Sequence, residues 1–194
     1  MAGPAQLDVA LLDATADQDQ LRAAVTRAAE GLIDLQQRQP WGQPYAPPEG
    51  WAWGSNGRIL NNLVVLGTAH LITGADHFCD AVRSGVDYLF GRNALGQSYV
   101  TGYGQDHSRH LRSRLFGHDH DPSFPVAPHG AIAGGANSMP HPGFYGDPRL
   151  VGLPPQCCYL DEPTSEVTND VCIRWNAPLV WVAAFLSRRQ YSHA

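Results

Sequence analysis

Between Gly91 and Thr168 the sequence keeps no 3.6-residue period. Eleven glycines between 91 and 152 and nine prolines between 122 and 163 interrupt any regular element that starts there. A loop-rich run of about eighty residues needs a rigid frame, and loops of that length inside a domain usually carry function. The flanking sequence supplies the frame. Residues 17–38 place Leu21, Val25, Ala28, Leu32 and Leu35 on one stripe opposite Gln and Arg, which predicts an amphipathic helix. A second helix is expected from a Ser55 cap through "NGRILNNLVVLGTAHLIT" to a stop at Gly74, and a third from an Asp76 cap to Gly91. The last helix is expected from about Asn169 to Arg189, with Pro178 near its first turns. The fold class that follows is all-α, with one elaborate loop region over 92–168.

The bulk numbers narrow the function classes. A chain of 194 residues with 43% hydrophobic content builds one domain with a core. Its formal charge of -5 rests on only 13 Lys+Arg, scattered apart from "SRHLRSR" at 108–114, so a nucleic-acid partner is not expected. The first twenty residues have neither a basic nor an apolar signal region, and no apolar run reaches membrane-spanning length. The expectation is a chain with no export signal of its own and no membrane span; the location it works in stays open. Cys79, Cys157, Cys158 and Cys172 match no zinc spacing, and neighbouring Cys157 and Cys158 bridge poorly, so reduced thiols are expected.

Three stretches carry a resemblance: "EGWAWGSNGRILNNLVVLGTA", "GRNALGQSYVTGYG" from Gly91 to Gly104, and "CYLDEPTSEVTNDVCIRWNAPLVWVAAFL". Together with "AGGANS" at 133–138, and in order from about Tyr45 to Leu186, they resemble the C-terminal part of glycoside hydrolase family 9, the cellulase family of the (α/α)6 barrel. The resemblance implies a partial (α/α)6 barrel, roughly its last five or six helices. It also implies inverting hydrolysis of β-1,4-glucosidic bonds in cellulose or related β-glucans, no cofactor, and a family whose members are mostly secreted.

Carried over position by position, the family's first signature is intact at "SYVTGYG", 98–104, but its Pro-His pair is Leu111-Arg112, and Arg114 matches the following Arg. Arg112 is a planar, permanently charged fork and no substitute for an imidazole. The second signature keeps its spacing through Tyr159, Asp161, Asn176 and Ala177, while Glu166 stands at its second aromatic position and Asp170 at its catalytic Glu. The resemblance thus implies Asp170 as general acid with Asp161 as a neighbouring carboxylate, and Arg112 and Arg114 as candidate substrate-contacting groups; Trp53 and Tyr103 are further candidate substrate contacts. One missing methylene withdraws the acid by about 1.5 Å, and a misplacement of about 1 Å costs on the order of 100-fold in rate. A position at a helix N-terminus is further expected to favour the ionised form, and so to work against proton donation, unless burial raises the pKa.

The family's water-activating aspartates belong to an Asp-Ala-Gly-Asp type motif, and residues 1–54 contain no match. Asp17, Asp19 and Asp34 read as solvated charges on the first helix. The chain alone is therefore expected to be inactive, with a non-catalytic carbohydrate-binding or scaffold remnant as the alternative. Helices from part of a toroid also leave apolar faces open, which raises self-association. Two features stay ambiguous on residues alone. Trp51 and Trp53 are either a sugar platform or loop anchors. The histidines at 107, 110, 118, 120, 129 and 141 gather with Asp119 and Asp121, but alternate loop residues rarely converge on a metal without a distant ligand, so a solvated loop is preferred and no metal is assigned.

Overall fold

The computed structural model describes residues 4–11, 18–119, 121–139 and 147–190. Its helices are α1 (Pro4–Leu11), α2 (Gln18–Gln37), α3 (Ser55–Thr73), α4 (Asp76–Leu89), a single turn α5 (Glu166–Asn169) and α6 (Ile173–Gln190). Two 3-10 turns lie at Pro148–Leu150 and Pro155–Cys157. Among the described residues there is no extended strand, only isolated bridges within the loop region. No described helix is long and apolar enough to cross a membrane.

The arrangement follows from α3, which is buried over most of its surface: Ile59, Leu60, Leu63, Leu66 and Ala69 are fully buried. A helix of that kind is stable only when other elements cover it. α2, α4 and α6 do so, with Phe78, Cys79 and Val82 of α4 and Trp175, Leu179, Val182 and Phe185 of α6 facing the same core. Two glycines let α6 approach. A Cβ at Gly57 would stand 2.0 Å from Cδ1 of Trp175, and one at Gly67 would stand 2.8 Å from the Trp181 ring. The indoles of α6 lie where α3 has no side chains.

The loop between α2 and α3 is fastened by aromatic and amide contacts. Trp51 is buried, with Tyr45 edge-on at 5.2 Å and Tyr88 at 6.1 Å. Asn62 donates to the Pro44 carbonyl at 2.7 Å. Within the long loop region, residues 98–101 and 130–133 hold each other: Thr101 N–H donates to Ala131 O at 2.9 Å and Ala133 N–H to Tyr99 O at 3.1 Å. Tyr99, Ile132 and Ala133 are fully buried there.

Several sequence-based boundaries need correction. Ser55 is the first helical residue and its buried hydroxyl makes no capping bond; Gly54 takes the cap position at φ 74°. The left-handed turn beside the Trp175 ring leaves no room for a Cβ at that position. Ala75, not Asp76, stands at the cap of α4. On α2 the inward residue after Val25 is Ala29, while Ala28 is exposed. The last helix, expected from about Asn169, starts at Ile173 and is preceded by the single turn α5, because the backbone between them bonds to other segments instead of to itself. α1 was not anticipated from the sequence. Asp17, His120 and His141 lie outside the described residues.

Candidate active site

Asp170 lies in the break between α5 and α6, with extended backbone at φ -58° and ψ 153°. Two segments pin it. On one side Arg112 N–H donates to Asn169 O at 3.0 Å and Val171 N–H to Arg112 O at 3.2 Å, a parallel bridge that sets Arg112 beside Asp170. On the other side Gly134 N–H donates to Asp170 O at 2.9 Å and Gly135 N–H to Thr168 O at 2.9 Å. The "AGGANS" segment and the residue before it are tied to α3 and α6, through Asn56 Nδ2 to Ala133 O at 3.0 Å and Ile132 N–H to Asn176 Oδ1 at 3.1 Å. The carboxylate therefore projects from backbone fixed to both long helices.

A buried polar chain lies under this break. The Ser108 hydroxyl and Tyr159 OH are 2.6 Å apart, and Tyr159 OH donates to Asn169 Oδ1 at 2.8 Å. The Asn169 amide donates to His110 O, to Glu162 O at 3.2 Å and to Asp161 Oδ1 at 3.3 Å. Burial pushes the Tyr159 phenol well above its usual range, so it stays a neutral donor. Asp161 accepts from the amides of Arg109 at 2.8 Å and His110 at 3.1 Å. Its carboxylate thus orients the 109–112 segment.

A cleft of about 690 Å³ opens above Asp170, lined by Arg112, Ser113, Arg114, Pro163, Thr164, Glu166, Asp170 and Val171. Asp170, Arg112 and Arg114 line it together. Asp161, Trp53 and Tyr103 are not in its lining. Trp53 is 42% exposed and meets Trp175 edge-on at 5.3 Å, while Tyr103 is 52% exposed and stands 6.0 Å from the Phe90 ring. Trp51, buried under the loop, is an anchor.

The electrostatics correct one expectation. Burial raises Asp170 above the ordinary carboxylate range, and the nearby Arg112 charge only partly opposes it. The residue precedes α6 by a two-residue gap and sits at the C-terminal end of α5, so no helix N-terminus favours its ionised form. A carboxyl group that keeps its proton more readily is better suited to donate one.

The sequence did not indicate that the two departures from the family signatures touch each other. The Arg112 guanidinium forms an ion pair with Glu166 across the cleft wall. The available signal was the simultaneous appearance of opposite charges at an imidazole position and an aromatic position. The described residues of the histidine-rich loop do not converge. His110 pairs with Asp119 at 2.8 Å, His118 with the Phe124 carbonyl at 2.9 Å, and Asp121 accepts from the Ser123 amide at 2.9 Å. Among the described residues no three potential ligands form a metal site. All four cysteines are free.

The family model "Glycosyl hydrolase family 9" matches residues 4–183. Endoglucanase C of Cellulomonas fimi is 42% identical over 175 residues, which are 87% of this chain and 16% of that protein. A cellulose 1,4-beta-cellobiosidase of Acetivibrio thermocellus is 37% identical over 179 residues, 88% of this chain and 19% of that protein. Among solved structures, a metagenome-derived glycoside hydrolase family 9 endoglucanase superposes with a TM-score of 0.77 at 28% identity, over 92% of this chain and 31% of that one. AaCel9A, solved with cellobiose-like isofagomine, gives a TM-score of 0.75 at 31% identity, over 89% of this chain and 32% of that one. The helices described above are thus part of an (α/α)6 barrel, and the chain spans less than a third of each of these relatives.

Proposed function

The chain belongs to glycosyl hydrolase family 9, and from that premise we propose that it supplies the proton-donating wall of a β-1,4-glucan hydrolase site, with Asp170 as general acid. In the inverting reaction, Asp170 gives its proton to the glycosidic oxygen as the bond from that oxygen to the anomeric carbon breaks. Water attacks the opposite face, and a carboxylate base roughly 6.5–9.5 Å from the acid takes its proton. Among the described residues that base has no counterpart in the cleft lining, whose carboxylates are Asp170 and the ion-paired Glu166. The remainder of a barrel would provide it. Arg114, with no hydrogen bond or ion pair among the described residues, is the guanidinium available to sugar hydroxyls. Asp161 acts by holding the 109–112 segment in place. The observation that carries the reading is a half-buried carboxyl group, raised above its usual range, at the general-acid position of the signature.

Taken alone, the 194-residue chain binds cello-oligosaccharides in the cleft and does not turn them over. Calorimetric titration with cellohexaose, alongside reducing-end release from a soluble β-glucan, tests this. Saturable binding that Arg114→Ala weakens, with no reducing ends, is expected. Turnover by the wild-type chain that Asp170→Ala abolishes would contradict the inactivity, and absence of binding would contradict the site. A second reading, a non-catalytic carbohydrate-binding remnant, is favoured by the Arg112–Glu166 pair at the positions of an imidazole and an aromatic. The two readings separate once the base is supplied, since only the first then predicts turnover.

A further inference from the structure

Arg112 cannot leave Asp170 by moving its backbone. The bonds from Arg112 N–H to Asn169 O and from Val171 N–H to Arg112 O place the two residues opposite each other in a bridge. Only the side chain is free to choose. Two carboxylates of the same cleft lie within its range, Glu166 on α5 and Asp170 in the break that follows, and the guanidinium is engaged by Glu166. The pair is partly open to solvent, with side-chain exposures of 40% for Arg112 and 31% for Glu166. Ion pairs of that exposure contribute little to stability. Its effect lies instead in where it holds a positive charge.

We propose that Glu166 is a positioning residue: by engaging the Arg112 guanidinium it keeps that charge from closing on the Asp170 carboxyl group. The consequence rests on Asp170 being the proton donor. A guanidinium that forks onto Asp170 would hold it as carboxylate and leave no proton to give. The other charged group in the cleft is Arg114, from the same segment as Arg112, while Ser113, Thr164, Pro163 and Val171 are uncharged. The 133–138 segment packed behind Asp170 brings no charged side chain, and on α6 the nearest is exposed Arg174. Arg112 is also the single charge that opposes the burial effect at Asp170. One carboxylate thus shields another from a cation whose backbone the fold fixes beside it.

The test is a carbon-detected NMR titration of the Asp170 carboxyl group in the full chain, as wild type, Glu166→Gln, Arg112→Met and the double variant. Glu166→Gln is expected to lower the midpoint and Arg112→Met to raise it. In the Arg112→Met background, Glu166→Gln is expected to cause no further shift. An unchanged or higher midpoint in Glu166→Gln overturns the proposal. So does a downward shift that persists in the double variant, since Glu166 would then act without Arg112. Glu166→Ala serves as a second removal of the same charge if the amide variant fails to fold. Because titration does not depend on turnover, its outcome stands apart from the general-acid reading, which fails separately if Asp170 proves dispensable for hydrolysis.

Discussion

Asp170 is a residue whose setting opposes its own ionisation. Burial raises its proton affinity in the folded chain above the unfolded value. Its protonation therefore favours the folded state below the ordinary Asp range of about 3.9, and that contribution is lost as pH rises through the folded-state value. Asp147 and Glu162 behave oppositely. Arg149 bonds hold Asp147 down at about 2 and lower Glu162 as well, so their contribution is present above the ordinary range and is lost in acid. At neutral pH the Asp170→Asn chain should melt at a higher temperature than wild type, and the gain should disappear below about pH 3.9. Thermal unfolding followed by circular dichroism across pH checks this, and a lower melting temperature at neutral pH would show that the ionised carboxylate is well accommodated. Stability given up at one carboxyl group is consistent with a site kept for chemistry.

At the scale of elements, α3 and α6 are joined by tryptophans packed against glycines. Gly57→Ala places a methyl group 2.0 Å from Cδ1 of Trp175, so the ring or the helix has to move. Overpacking of this kind costs about 1–3 kcal/mol, although alanine favours a helix over glycine by about 1 kcal/mol. A net loss in urea denaturation is expected, and stabilisation by Gly57→Ala would mean that the two helices are not in close contact. The helices themselves were legible in the sequence because 3.6-residue periodicity and glycine stops are local signals. α2 and α3 fall within a residue of their expected ends. The break at Asp170 was not legible, because it is made by bonds to Arg112 and Gly134, which are distant in sequence. The same reason hid the Ser108–Tyr159–Asn169 chain and the Arg112–Glu166 contact. The spacing of the second signature singled out Asp170, which lines the cleft with both arginines.

For the whole molecule, the open side of α6 is informative. Ile173, Ala177, Val180 and Ala184 recur at helical spacing and are all exposed, with Ile173 at 81% and Val180 at 69%. An apolar stripe of that kind calls for a covering surface. Sedimentation of the chain should reveal concentration-dependent association that Ile173→Lys with Val180→Lys removes; a monomer at every concentration would argue against this surface. Proton donation by Asp170 becomes observable when the rest of a barrel is present. The most direct measurement is hydrolysis of a soluble β-glucan by a complete family 9 catalytic domain in which this chain replaces the matching segment, compared with its Asp170→Asn and Asp170→Glu forms. Asp170→Asn is expected to lower turnover by about 10²–10⁴-fold, the usual contribution of a general acid. Asp170→Glu, by restoring reach, is expected to raise it by up to about 100-fold. Turnover that is unchanged in Asp170→Asn would contradict the account.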